Sequence, residues 1–382
     1  MELTVLRGIE NNAVIAAFFA YKKTNGAADR AEFLSRLYAA GGEENFTAFV
    51  QSVILLDENA FSVACACGKK PSDYVEQAFK RDLQHVFSEV LNTDGQGDYC
   101  VGKLSEPFCE DFDLCVRRLK EFYAARGYGE FIFNPAFAFA DGKLAPLKGV
   151  DTITLDDLKN YGTEKKLIEG NVVNFLQGLP YSHILLYGDM GTGKSSTVHA
   201  ILNKYFGAGL RIIEINKENV LNIPEVKRLV PENCLKFIIF IDDLSLSEDD
   251  DKISPLKAIL EGSVGGNRSN VMICATSNRR HVIKESFSER ENSVHTSDSL
   301  QEQLSLADRF GLTVMFSSTD KENYLSIVEQ LARDFKLKIG KNELFALAER
   351  WAIEKGGRSP RRARQLIDLI YASEVKGEAV EF

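Results

Sequence analysis

The residues best suited to chemistry gather at Gly188-Asp189-Met190-Gly191-Thr192-Gly193-Lys194-Ser195, a run that fits G-x-x-x-x-G-K-[ST]. Glycines at these positions let backbone N–H groups approach phosphate oxygens with no side chain in the way. A helix beginning there adds partial positive charge. In that chemistry Lys194 reaches the terminal phosphates, the Ser195 hydroxyl ligates Mg²⁺, and Ser196 continues the cradle. Further along, Phe237-Ile238-Ile239-Phe240-Ile241-Asp242-Asp243 is an apolar run ending in two carboxylates. Asp242 suits the metal, directly or through water. Asp243 suits the orientation or deprotonation of an attacking water. Such a run is weak evidence alone and strong evidence after a phosphate loop. A third run, Val271-Met272-Ile273-Cys274-Ala275-Thr276-Ser277-Asn278, also ends in polar residues. If its strand lies between the other two, Asn278 touches the γ-phosphate or its water; otherwise an Asn there caps a helix.

Elements of fixed kind must position these groups. Tyr181–Tyr187 reads as a buried strand before the loop, and Ser196–Leu202 carries helical spacing after it. Short apolar, mostly β-branched strands are expected at His183–Tyr187, Leu210–Ile215, Phe237–Asp242, Asn270–Ala275 and Leu312–Phe316, as in a parallel sheet covered on both faces. From about Lys321 the pattern is helical, over Asn323–Phe335, Lys341–Glu354 and Pro360–Ser373. Before Asp141 it is mostly helical too, with an aromatic stripe at Tyr74, Phe79, Leu83, Phe87 and Leu91 that reads as core. The expected organisation is therefore a mostly helical region of unknown role over 1–141, a linker over 142–150, an αβ nucleotide-binding core over 151–319 and a helical lid over 320–382. The fold class is α/β, a P-loop NTPase sheet flanked by helices. Ser247–Lys252 reads as an acidic solvated loop.

From about Leu147 to Ala372 the chain resembles an AAA+ ATPase, most closely a family of uncharacterised bacterial ATPases known only as a domain of unknown function. The resemblance is carried by the loop with its Ser195-Ser196, by Asp242-Asp243-Leu244-Ser245, Leu260-Glu261-Gly262, Ala275 to His281, and Leu304 to Leu312. It implies that Asn278 is the sensor 1 residue. It implies that Arg309, in Asp308-Arg309-Phe310-Gly311-Leu312, is an arginine finger reaching a neighbouring subunit's γ-phosphate; the plainer reading is an ion pair with Asp308 or Glu302. The basic turn Gly356 to Gln365 matches the start of a lid helix with a sensor 2 arginine. Arg361 fits best, with Arg358 and Arg362 as alternatives, and a nucleic-acid patch is the rival reading. Leu155 to Gly162 matches the stretch that packs on adenine, with Leu158 and Tyr161 as the contacts. Asp-Asp where many relatives carry Asp-Glu resembles replication initiators and helicase or transposase loaders. This implies slow hydrolysis, the shorter carboxylate reaching the water less well.

The whole chain narrows the classes. A net charge of −9 over 382 residues argues weakly against a protein coated with nucleic acid. No apolar run reaches about 18 residues, so no transmembrane helix is expected, and Ala13–Tyr21 lacks the flanks of a secretory signal. Seven cysteines with no C-x-x-C pair suit reduced thiols in the cytoplasm. The expected function is a cytoplasmic, Mg²⁺-dependent, slow ATPase that binds ATP and ADP and oligomerises through Arg309. The alternative is a nucleotide-gated binding or loading module for a DNA-bound or protein partner with little turnover of its own. A small-molecule kinase is a third reading, disfavoured by the helical C-terminal region.

Overall fold

A computed structural model describes residues 3–244, 252–261, 270–278, 307–378 and 380. Residue 245, the acidic run 247–251, Gly262 and residues 279–281, 302 and 304–306, all used above, lie outside the described residues. The chain divides into two compact units, Met1–Asn134 with Pro231–Leu235, and Pro135–Val230 with Lys236–Phe382.

The first unit contains helices α1 (Ala13–Thr24), α2 (Ala27–Ala39), α3 (Phe46–Leu56), α4 (Ala60–Ala66), α5 (Asp73–Leu91) and α6 (Phe112–Arg126). Polar caps start several of them: the Asn12, Ser72 and Asp111 side chains accept from the first-turn N–H groups of α1, α5 and α6, supplying partners the helix itself cannot. The core is aromatic, with Phe18 and Phe46 ring centroids 4.9 Å apart and Phe33 and Tyr99 edge to face at 5.4 Å. Buried Asp82 on α5 accepts from the N–H groups of Thr4, Val5 and Leu6 at 2.9, 2.7 and 2.9 Å, fastening the N-terminal segment.

The second unit is built on a seven-stranded sheet in the order β2-β1-β4-β5-β6-β3-β7. Its strands are β1 (Ala136–Ala140), β2 (Lys143–Pro146), β3 (His183–Gly188), β4 (Leu210–Ile215), β5 (Lys236–Ile241), β6 (Val271–Ser277) and β7 (Gly311–Phe316). All neighbours pair parallel except the β1–β2 hairpin. That hairpin differs from the helical end and linker expected at 136–146. Ala-Phe-Ala-Phe-Ala alternates at the strand period, and Asp141-Gly142 turns it with φ of 51° and 72°, the positive values a two-residue hairpin turn requires. Phe137 and Phe139 are buried by it. Helices α7 (Gly162–Leu176) and α8 (Lys194–Tyr205) bury Ile168, Val172, Phe175, Val198, Ile201 and Leu202 against alternate sheet residues such as Ile184, Leu186, Ile212 and Phe240. The intervening residues, Leu185, Ile213 and Ile239, are equally buried on the other face, which explains the unbroken apolar strands. Helices α9 (Ile223–Leu229) and α10 (Ile253–Glu261) also belong to the α/β part. The lid is α11 (Lys321–Asp334), α12 (Lys341–Glu354) and α13 (Pro360–Lys376), closed on its own core of Tyr324, Val328, Leu344, Leu366 and Ile370. Among the described residues no single helix is long and apolar enough to cross a membrane.

His183 opens β3 inside this core. Its Nδ1 accepts from the Ile273 N–H at 3.1 Å, and burial pushes its imidazole down to about 4. The unfolded chain protonates near 6.5. Between those values only the unfolded state binds the proton, so stability present above pH 6.5 is lost as pH falls towards 4. The expected loss is about 3 kcal/mol at pH 4, measured by urea unfolding across that range. His183→Gln, which keeps an acceptor for Ile273, should flatten that slope.

Candidate functional site

Parallel pairing brings the carboxyl ends of β3, β6 and β5 to one edge, with β6 between the other two. This is the strand order on which the role of Asn278 was conditional. At the end of β3, Gly188 has φ of 132°, and a Cβ there would collide with the Phe316 carbonyl oxygen. Only glycine suits both constraints. Gly191 and Gly193 follow at φ of 78° and 96°, and Gly193 caps α8. The loop therefore ends on a helix N-terminus, whose first N–H groups have no partners within the helix. Thr192 is buried, with its hydroxyl donating to the Asp189 carbonyl at 2.8 Å. The Lys194 ammonium donates to the carbonyls of Gly188 and Asp189 at 3.0 and 2.8 Å. Burial pulls its pKa down against the pull of Asp189, Asp242 and Asp243. It thus lies across the loop and bonds to its backbone.

Across the gap, Ser195 on α8 and Thr276 on β6 both donate hydroxyl hydrogens to Asp242 Oδ1, each at 2.6 Å. Asp243 takes a left-handed backbone, φ 53°. Its N–H donates to Thr276 Oγ1 at 2.9 Å, and its Oδ1 accepts from Asn278 Nδ2 at 2.8 Å. Five side chains, from a helix and the ends of two strands, thus meet as one network. The sequence leaves that strand order as a condition, and it announces neither the part of Thr276 nor the hold of Asn278 on Asp243.

These groups floor a cleft of about 780 Å³, within the ordinary range for a small-molecule site. Met190, Gly191, Gly193, Lys194, Ser195 and Ser196 line it, with Asp242, Asp243 and Asn278. Gly188, Asp189 and Thr192 form the loop behind that lining. On the lid side, Ser359 caps α13 and the Arg361 N–H donates to the Gly191 carbonyl at 3.2 Å. Helix α13 therefore starts directly on the glycine loop, and Arg361 lines the cleft. Neither rival is among the lining residues: Arg358 pairs with Glu349 at 2.9 Å, and the Arg362 Nη1 lies beside Gly357. Arg364 and Gln365, one turn on from Arg361, also line the cleft. Their i+3 and i+4 spacing was the signal available for them.

Part of the lining is apolar. Leu158 and Ile153 face the cleft with Ile327 and Leu331 of α11. Lys165 fixes that stretch by donating to the carbonyls of Leu155 and Leu158 at 2.9 and 2.6 Å. Tyr161, expected beside Leu158, is not brought to the cleft. It is buried, its ring 5.0 Å from that of Phe316 and its hydroxyl donating to the Ser317 carbonyl at 2.6 Å. Its left-handed φ of 57° turns the chain into α7. Arg309 does not join these residues either. It is exposed just ahead of β7. The register pairs His183 with Gly311 and Gly188 with Phe316, so Arg309 lies at the opposite edge of the sheet. The separation from its own loop is about 17 Å at ~3.3 Å per strand residue.

Strand order, glycine loop, paired carboxylates and lid define a P-loop fold of the AAA+ type. The chain belongs to the family described as Protein of unknown function (DUF815), whose model matches residues 133–374. It is similar to the replication factor C large subunit of Nanoarchaeum equitans, 28% identical over 120 residues. That stretch is 29% of this chain and 27% of the relative, so the match spans only about a quarter of the relative's length. Among solved structures it resembles the Thermotoga maritima RuvB Holliday junction branch migration motor, with TM-score 0.40, 16% identity, and 60% and 68% of the two chains covered. It also resembles the FIGL-1 AAA domain in complex with ADP, with TM-score 0.40, 17% identity, and 59% and 75% covered.

The close approach at Gly188 gives a direct check on the loop. Gly188→Ala should lower the unfolding free energy by at least about 2 kcal/mol. Gly149→Ala, at a φ of 72° with open space around it, should cost only about 1 kcal/mol. Denaturant unfolding of the two variants distinguishes a collision from a backbone preference.

Proposed function

We propose that the cleft binds ATP with Mg²⁺, hydrolyses it slowly, and uses occupancy to drive assembly between subunits. The observation that carries this reading is the Ser195–Asp242–Thr276 and Asp243–Asn278 network lying against Lys194. In it the phosphates lie on the N–H groups of the loop and α8, with Lys194 swinging from its carbonyls to the terminal oxygens. The Ser195 hydroxyl and the Asp242 carboxylate would hold the metal. They are two hard oxygen donors already in contact, which suits Mg²⁺, an ion that takes few protein ligands and completes its shell with water and phosphate oxygens. Once bound, Mg²⁺ would neutralise charge on the phosphates. Asp243 orients or deprotonates the attacking water, and Asn278 positions Asp243. Arg361, seated on Gly191, reads the terminal phosphate from the lid, while Leu158 with Ile153, Ile327 and Leu331 receives the base.

Two features support slow turnover. Asp243 is a methylene shorter than glutamate, and Asn278 occupies its Oδ1. Assembly is supported by Arg309, too far along the sheet to serve its own loop and exposed where a neighbour's site can meet it. A second reading, a nucleotide-gated module that binds or loads a DNA-bound or protein partner, is favoured by the same hold of Asn278 on Asp243. A partner that releases it should raise hydrolysis.

Binding of a fluorescent ATP analogue tests the first step. Wild type should bind with Mg²⁺ present, and Lys194→Ala should weaken affinity by about 100-fold, the loss of a charge-assisted contact worth up to ~3 kcal/mol. Equal affinity in the two proteins would overturn the reading. Steady-state turnover should fall well below the roughly 10 s⁻¹ typical of enzymes.

A further inference from the structure

Thr276 is buried at the end of β6, and the reading above gives it no task. Its hydroxyl nevertheless serves both aspartates, one at the carboxylate and one at the backbone. The hydrogen goes to Asp242 Oδ1 at 2.6 Å, and the oxygen accepts the Asp243 N–H at 2.9 Å. Its backbone carbonyl accepts the Leu244 N–H at 2.7 Å. The strand end of β6 thus grips three successive residues beyond β5.

Each contact has a separate consequence. A carboxylate on a short side chain rotates unless its oxygens are held. Ser195 also donates to Oδ1, but a metal ligand cannot be the anchor, because its oxygen must re-orient when the ion enters. The Thr276 hydroxyl sits beneath the carboxylate and is free to hold it before and after. The second contact acts on the backbone. Asp243 has φ of 53°, a conformation few non-glycine residues adopt without local support. A hydrogen bond to its own N–H supplies that support and keeps the Asp243 side chain within reach of Asn278.

We propose that Thr276 is a positioning residue that couples the metal-side carboxylate, Asp242, to the water-side carboxylate, Asp243, through one hydroxyl. The inference rests on the proposed Mg²⁺–ATP reading of this cleft. It predicts that the hydroxyl, rather than the volume of the side chain, sets the Mg²⁺ requirement. Groups that orient metal ligands from behind typically change metal affinity by about 10-fold to 100-fold when removed.

The test uses the full chain as wild type, Thr276→Val, Thr276→Ala and Thr276→Ser. Binding of a fluorescent ADP analogue is titrated with MgCl₂, and repeated in EDTA, so no hydrolysis is needed. The Val and Ala variants should need about tenfold more Mg²⁺ for the half-maximal change, with their EDTA affinities equal to wild type. Ser should stay within about twofold of wild type. Val and Ala variants with the wild-type Mg²⁺ midpoint would overturn the proposal, whatever their melting temperatures. Equal losses in EDTA and in Mg²⁺ would also overturn it, since they mark a general collapse of the site. Wild type that binds no nucleotide in either condition would overturn the function proposed for the cleft, and this inference with it.

Discussion

The ends of β3 and β5 stand two strand spacings apart, about 10 Å, because β6 is inserted between them. Backbone hydrogen bonds fix that distance, and no side chain can change it. The glycine loop and the carboxylates therefore never touch directly. Ser195, lifted on the first turn of α8, reaches across from one side. Thr276 and Asn278 rise from β6 and fill the floor between. The polar network is a consequence of the sheet order, and a different order of the same strands would leave Asp242 without either hydroxyl.

The lid depends on the same loop from above. Gly191 offers its carbonyl to the first N–H of α13 beyond Pro360, and the absence of a side chain on Gly191 lets Ser359 and Arg361 come close. Arg361, which lines the cleft, is thereby held against the glycine loop by a backbone contact. Lys159 on the core side pairs with Asp334 at the end of α11, 2.8 Å away. The cleft is thus bridged between core and lid at two places, Gly191–Arg361 and Lys159–Asp334.

Much of this was legible in the sequence, and the rest failed for definable reasons. Buried parallel strands announce themselves as unbroken apolar runs, so β3 to β7 fell close to their expected positions. The glycine loop and Asp242-Asp243 need particular residue types and stand out for that reason. The β1–β2 hairpin was also written plainly, in the Ala-Phe alternation before Asp141-Gly142, but was absorbed into a region whose other segments are helical. Tyr161 shows a harder limit. Residue type and neighbourhood suit a base contact, yet the direction of the ring is set by a left-handed backbone and by Ser317, more than 150 residues away in sequence. Thr276 belongs to the same class: its partners, Asp242 and Asp243, lie more than 30 residues away in sequence, and spacing alone does not record that it faces them.

The claim that one subunit completes another's site is tested most directly by mixing two defective proteins. Lys194→Ala retains Arg309 but lacks the lysine that holds the phosphates. Arg309→Ala retains the loop but offers no arginine to its neighbour. Assayed together under single-turnover conditions, they should hydrolyse ATP well above the sum of their separate rates, because intact loops then face intact arginines across mixed interfaces. A mixture no faster than that sum would contradict a shared site.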